Sequence, residues 1–248
     1  IFHDVQISYK ELYSESLKLA NALHSLGYGK GDVIATYLPN SIQYMIAYYG
    51  IMLSGATYSP INPFNPANEV AYQIQDVNAV AVIAHESCAK NLLDEALNLK
   101  DVIVTGTDEI DGINGRTDVR SLNDSWHSLN ELKSRYEARE LQVDIDPKED
   151  IAIISYTGGT TGRAKGVLST HYNFVGSCLA SSASMGMLPH IDAEGGVIVK
   201  AYTSEDEFAK EYAIIPGKSV VLSPAPLYHV SGLMGSIGVG TVQGSTVI

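Results

Sequence analysis

Along the first hundred residues the apolar positions alternate between a helical period and short continuous runs. Ser8-Tyr9-Lys10-Glu11 has the form of a capping box, a serine followed three residues later by a glutamate. Leu12, Ser16, Leu19, Ala20, Leu23 and Leu26 then share one helical face, and Gly27 stands where a left-handed C-terminal residue belongs. Residues 32–38 read as a buried strand. Pro39-Asn40 opens a second helix, which runs through Ile42, Met45, Ile46 and Tyr49 to Leu53 and stops at Gly55. The rhythm continues with a strand over 56–59, a breaker cluster over 62–66 and a helix over 68–76. A strand over 80–84, a helix near 90–97 and a strand over 101–105 complete it. Short apolar strands separated by amphipathic helices predict βαβ units: an α/β fold of parallel sheets flanked by helices on both faces.

Beyond Gly106 the periodicity breaks. Residues 107–124 are rich in Asp, Gly, Asn and Ser, and 131–141 read as a charged helix within a surface excursion that ends near 149. Ile151-Ala152-Ile153-Ile154 then has the length and β-branched content of a buried strand. It leads into Ser155-Tyr156-Thr157-Gly158-Gly159-Thr160-Thr161-Gly162-Arg163-Ala164-Lys165-Gly166, which has no large apolar side chain after Tyr156. Such a stretch cannot help fill a core. Glycines let the backbone turn and expose its N–H groups, threonines add hydroxyls, and Arg163 and Lys165 add positive charge. Donors and cations on a turn suit a polyphosphate, since a hydrogen bond to a charged group is worth about 1.5–3 kcal/mol. The plainer reading, a solvated connection, stays open on composition alone. The spacing is not that of a Walker loop, because Lys165 is followed by Gly166.

Residues 156–166 resemble the signature loop of the adenylate-forming superfamily, which includes acyl-CoA synthetases, luciferases and nonribosomal peptide adenylation domains. The usual pattern is Tyr-Thr-Ser-Gly-Thr-Thr-Gly-x-Pro-Lys-Gly. Here Gly158 replaces the serine and Ala164 the proline, a pairing similar to the long-chain fatty acyl-CoA ligase branch. Lys30-Gly31-Asp32-Val33, residues 58–63 and the Thr170-His171-Tyr172-Asn173 segment also resemble stretches of that family. The last of these would begin a helix whose N-terminus adds about 0.3–1 kcal/mol to anion binding.

The resemblance implies that Thr157, Gly158, Gly159, Thr160, Thr161, Gly162 and Lys165 hold ATP. Thr161 and Lys165 would be catalytic, with Thr161 serving Mg²⁺. Coenzyme A would be the acyl acceptor, and the acid a carboxylic acid of the fatty class. A second segment, Pro226-Leu227-Tyr228-His229-Val230-Ser231-Gly232, resembles the family's Pro-Leu-Phe-His-x-x-Gly motif. On residue statistics a lone histidine such as His229 is more often a core or helix-cap residue than a catalytic one. By resemblance, Tyr228, His229 and Gly232 border the acyl substrate. A strand over 219–222 precedes them, and 182–216 read as an irregular, solvated flap with an acidic run at 205–207.

On this basis residues 1–148 form a first α/β lobe, and 149–248 the phosphate loop with the start of a second, incomplete lobe. Both ends read as cut, and the adenine, ribose and C-terminal lysine elements of the family fall outside the chain, so the expectation is an N-terminal portion without activity of its own. Aryl- or amino-acid-activating ligases, a non-enzymatic phosphate-binding module and a purely structural protein stay open as alternatives.

Charge and composition narrow this further. The chain of 248 residues carries a net charge of −12, which speaks against a nucleic-acid-binding face. No run approaches the roughly 18 apolar residues of a membrane span, so a cytoplasmic or membrane-peripheral protein is expected, its oligomeric state open. Cys88 and Cys178 have no metal-type spacing, the histidines form no zinc pair, and there is no nucleophile elbow or dinucleotide fingerprint. Asp4, Asp76 and Asp124 are scattered and read as caps or solvated positions.

Overall fold

A computed structural model of the chain describes residues 1, 5–94, 97–106, 119–157, 162–193 and 196–248. The capping box starts α1 (Tyr9–Ser25), with the Ser8 hydroxyl accepting from the Glu11 N–H and the Glu11 carboxylate from the Ser8 N–H. β1 (Val33–Tyr37), α2 (Ile42–Ser54), β2 (Thr57–Pro60), α3 (Ala67–Asp76) and β3 (Ala81–His85) follow in the predicted order. α2 begins later than Pro39 because Ser41 is its cap, accepting from the Tyr44 N–H. It ends at Gly55, φ 84°, where a Cβ would lie 2.4 Å from Val143 Cγ1.

β4 (Asp101–Thr105) and β6 (Ile151–Thr157) complete the expected strands, and a two-residue strand, β5 (His127–Ser128), adds to the edge beyond β4. With a seventh strand, β7 (Lys165–Thr170), the sheet order is β5-β4-β3-β1-β2-β6-β7, parallel except at its last pair. Side chains alternate between two cores as the pleat requires. Ile34, Ile83, Ile103 and Ile153 face the core under α1 and α2. Ala35, Tyr37, Val82, Ala84, Val102 and Val104 face the core under α3. The chain reverses direction between β1 and β3, as in other doubly wound sheets.

Several expectations are corrected. The helix near 90–97 is a short α4 (Glu86–Ala89) and a 3₁₀ turn, Lys90–Leu92, while residues 95–96 lie outside the described ones. His85 starts it early by accepting the Ser87 N–H on Nδ1. The charged helix over 131–141 shrinks to α5 (Leu129–Lys133), since no apolar residue after Leu132 keeps a helical face buried. A further strand, β7 (Lys165–Thr170), runs antiparallel to β6. Its Val167 and Leu168 are 48% and 60% exposed at the sheet edge, so no alternating pattern betrays it. α6 (His171–Ser184), capped by Thr170, therefore starts at the far end of β7. At about 3.4 Å per residue its N-terminus lies roughly 17 Å along the strand from the loop, beyond the reach of a helix-terminus effect.

Residues 187–211 are also more regular than predicted. β8 (Met187–Ile191) and β9 (Val197–Ala201) form a hairpin packed with α7 (Glu205–Glu211) around Met187, Val199 and Phe208. The acidic run occupies the first turn of α7, where its negative charge complements the positive end of the helix dipole. β10 (Val220–Val221) pairs in parallel with β11 (Thr246–Val247).

The later residues are fastened to the first sheet at β6. Thr57 and Ser59 of β2 donate hydroxyl bonds to the carbonyls of Ile151 and Ile154, at 2.8 and 3.0 Å. Tyr48 packs edge-on to Tyr58 and against Phe174 of α6. Among the described residues no helix is long and apolar enough to cross a membrane.

Burial holds the imidazoles of His85 and His171 below their ordinary value, with Glu86 and Asp150 opposing it in turn. Below about pH 6.5 the unfolded chain takes up protons that the folded chain refuses, so stability falls as pH drops from there toward the folded values. His85→Asn keeps an acceptor for Ser87 and removes one titration. Urea midpoints at pH 7 and 5.5 should differ less in the variant than in the parent, and an undiminished difference would refute the assignment.

Candidate functional site

β6 and β7 form the two arms of a hairpin at the C-terminal edge of the parallel strands, the edge where open α/β sheets bind ligands. Of the predicted loop residues, Gly158, Gly159, Thr160 and Thr161 lie outside the described ones. Thr157, the last residue of β6, pairs directly with Lys165, the first of β7. Lys165 is exposed and has no ion-pair partner among the described residues. Gly162 has φ 154° and open space around its Cβ position. A bare cation, a threonine beside it and open space at Gly162 fit an anionic group such as a polyphosphate.

The arms rest on α3, which sequence reasoning did not connect with the loop. Tyr156 donates its hydroxyl to the Asp76 carboxylate. Burial, then that hydrogen bond and the carboxylate's charge, push the Tyr156 phenol above the ordinary tyrosine value. Tyr72, one helical turn before Asp76, meets Tyr156 edge-on with ring centroids 6.2 Å apart. Its hydroxyl donates to the Ala164 carbonyl at 3.0 Å. The Arg163 guanidinium stacks over the Tyr72 ring at 4.7 Å. Asp76 is thus a partner of the loop arm rather than a cap or merely solvated position. The signal in the sequence was the i, i+4 placement of Tyr72 and Asp76, which puts them on one face.

The second segment reaches the same edge from another direction. Asn40, just beyond β1, accepts from the Leu227 N–H at 2.8 Å and donates to the Ala225 carbonyl at 3.1 Å. β1 and β6 are separated only by β2, so their ends are about 10 Å apart. Leu227, Leu233 and Ile237 are buried in the core beneath α1 and α2, with Tyr228 packed against it. His229 is exposed and caps α8 (Val230–Gly232): its Nδ1 accepts from the Ser231 N–H at 3.3 Å and lies 2.8 Å from the Ser231 hydroxyl. The helix-cap role weighed for a lone histidine is therefore present, and it engages Nδ1.

Gly232 is buried against the backbone before it, and a Cβ there would stand 2.2 Å from the Pro226 carbonyl oxygen. After Gly232 comes a π-helical run, Leu233–Val239. A cavity of about 520 Å³ opens between the starts of α1 and α2 and the β10–β11 region, lined by Tyr9, Ile42, Met45, Leu227 and Ser236 among others. None of the predicted site residues that are described lines it. The described residues hold no cluster of three metal-type ligands.

The whole chain, residues 1–248, matches the family described as AMP-binding enzyme. It is 28% identical over 246 residues to the long-chain-fatty-acid–CoA ligase of Bacillus subtilis (strain 168), covering 94% of this chain and 39% of that protein. It is also 28% identical over 247 residues to 4-coumarate-CoA ligase 1 of Narcissus pseudonarcissus, covering 100% of this chain and 38% of that protein. Among solved structures, it resembles the inhibitor-bound N-terminal domain of FACL13 from Mycobacterium tuberculosis. That match has a TM-score of 0.71 at 27% identity and covers 99% of this chain and 50% of the other. The chain thus spans less than half the length of these two ligases.

The Pro226 contact gives Gly232 a packing role that is testable apart from any ligand. Gly232→Ala should lower stability by roughly 1–3 kcal/mol, the range for forced overpacking, read as a shift of the denaturant midpoint. An unmoved midpoint would show that the segment shifts freely and is not pinned there.

Proposed function

The chain belongs to the AMP-binding enzyme family, and we propose that it is the N-terminal part of a fatty acid–CoA ligase. The observation that carries this reading is the pairing of Thr157 with an unpaired Lys165 at the mouth of a glycine- and threonine-rich turn, on the ligand-binding edge of the sheet. In this reading residues 1–148 form the first lobe and 149–248 open the second, with the β6–β7 hairpin at the seam.

The reaction has two steps. A carboxylate oxygen attacks the α-phosphorus of ATP and pyrophosphate leaves, giving an acyl-adenylate. The thiol of coenzyme A then attacks the acyl carbonyl and AMP leaves. Thr157, Gly158, Gly159, Thr160, Thr161, Gly162 and Lys165 hold the β- and γ-phosphates and stabilise charge that builds on the leaving pyrophosphate. Thr161 would help to hold Mg²⁺, which would supply further neutralisation of the phosphate charge. Tyr228, His229 and Gly232 border the acyl group. The His229 cap leaves Nε2 as the ring atom that faces outward for substrate contact.

A specific observation favours one alternative acid. The identity to a 4-coumarate–CoA ligase equals that to the fatty-acid ligase, so an aromatic acid is the second reading. Phe, Tyr or aliphatic lining of the remaining pocket, contributed by the rest of the longer protein, would decide between them.

In the full-length enzyme, Lys165→Ala and Thr161→Ala should slow acyl-adenylate formation about 10²–10³-fold, the usual cost of one such donor. Thioester formation from supplied acyl-AMP should change far less. Equal losses in both half-reactions would count against the phosphate role. His229→Ala should alter the preference among acids of different length or ring content, and an unchanged profile removes it from the acyl pocket. The 248-residue chain alone should not catalyse ATP–pyrophosphate exchange; sustained exchange would overturn the need for the missing parts.

A further inference from the structure

The loop between β6 and β7 poses a mechanical problem. It has no large apolar side chain beyond Tyr156 to bury, and its return arm, β7, lies at the sheet edge with a ladder partner on one side only among the described residues. Whatever fixes the mouth of the loop must therefore grip the arms. α3 does this with two residues on one face. Asp76 takes the hydroxyl of Tyr156 on the outgoing arm, and Tyr72 takes the carbonyl of Ala164 and the guanidinium of Arg163 on the returning arm.

The register extends the grip. Gly166 lies opposite Tyr156. A Cβ there would meet Ile154 Cγ2 at 3.1 Å and Tyr156 Cζ at 3.5 Å, so the arm closes on the ring without a gap. Ala164 before Lys165 is thus held by α3, and Gly166 after it by the Tyr156 ring that α3 holds. Because successive strand residues alternate between faces, Thr157 and Lys165 point away from that helix. The two cations of the motif are separated by this geometry: Arg163 lies over an aromatic face, and Lys165 remains unpaired.

We propose that Tyr72 and Asp76 are positioning residues that hold the two arms of the phosphate loop in register. Arg163 belongs to this clamp, and Lys165 alone is the loop's phosphate-facing cation. The inference rests on the phosphate reading of the loop given above. It adds the helix that orients it and a division of labour between its two charges.

The test uses the 248-residue chain, inorganic pyrophosphate as the probe, and two readouts: amide exchange over residues 163–166 without anion, and pyrophosphate affinity by titration calorimetry. Tyr72→Ala and Asp76→Ala should each speed exchange and weaken affinity about tenfold, the effect of losing roughly one hydrogen bond. Asp76→Asn, whose amide oxygen still accepts from Tyr156, should stay near wild type. Tyr72→Phe, which keeps the ring under Arg163, should fall between. Arg163→Ala should speed exchange while costing less affinity than Lys165→Ala, which should leave exchange unchanged. Val70 and Ile74 anchor α3 independently of these positions, and circular dichroism would verify that each variant is folded. Unchanged exchange in both alanine variants overturns the clamp, as does faster exchange with unchanged affinity. A wild-type chain that does not bind pyrophosphate refutes the phosphate reading instead, and the exchange rates still decide whether α3 grips the arms.

Discussion

Everything the molecule presents at its candidate site hangs on β6. Its parallel pairing with β2 is short, one register position, Tyr58 to Ile153. Two β2 hydroxyls reinforce it by bonding carbonyls of β6 on either side of that position. Backbone carbonyls in this seam are shielded from water, so a side-chain donor there prevents an unsatisfied group that would cost roughly 1–3 kcal/mol. Ala152 and Ile153 of β6 are buried, and from Ser155 on the strand becomes more exposed while it stays paired with β7. One strand thus joins the early α/β units to the hairpin and fixes where that hairpin emerges.

The early part of the fold was legible because its signals are local and redundant. Ser8 with Glu11, Gly27 and Gly55 each mark a helix end by a bond or a dihedral that involves only near neighbours, whereas the cap at Ser41 was read two residues early. β1, β3 and β4 are buried on both faces, so they read as largely apolar runs. What escaped notice lacks that redundancy. β7 exposes Val167 and Leu168 at an edge, and β5 has only two residues and depends on Asp101, whose carboxylate sits 2.8 Å from His127. A strand held by a distant partner leaves no periodic trace in its own residues.

The site was legible in the same uneven way. Glycines, threonines and a lysine advertise a polar turn, and that much follows from composition. Their support does not. Tyr72 and Asp76 sit 80 or more residues before the arms they hold, as the separation between Asp76 and Tyr156 illustrates, and their i, i+4 spacing puts them on one face of α3 without saying what that face meets. Asn40 is equally silent, since its two bonds to the Ala225–Leu227 backbone span about three quarters of the chain.

A motif spelled out along a chain therefore mixes residues with different physical duties. Gly232 is a glycine because the Pro226 carbonyl occupies the space of a side chain, and Gly166 because Ile154 and Tyr156 crowd it. Gly162 meets no such neighbour; its need is conformational, a φ that side chains rarely adopt. Arg163 carries the same charge as Lys165 yet lies over an aromatic ring, in contact that a lysine would satisfy less well than a planar guanidinium. Only after the residues that shape the backbone are subtracted does the chemically free set become visible. Among the described residues of the loop that set is Thr157 and Lys165, cross-strand partners with no competing contact, on the face of the hairpin turned away from α3.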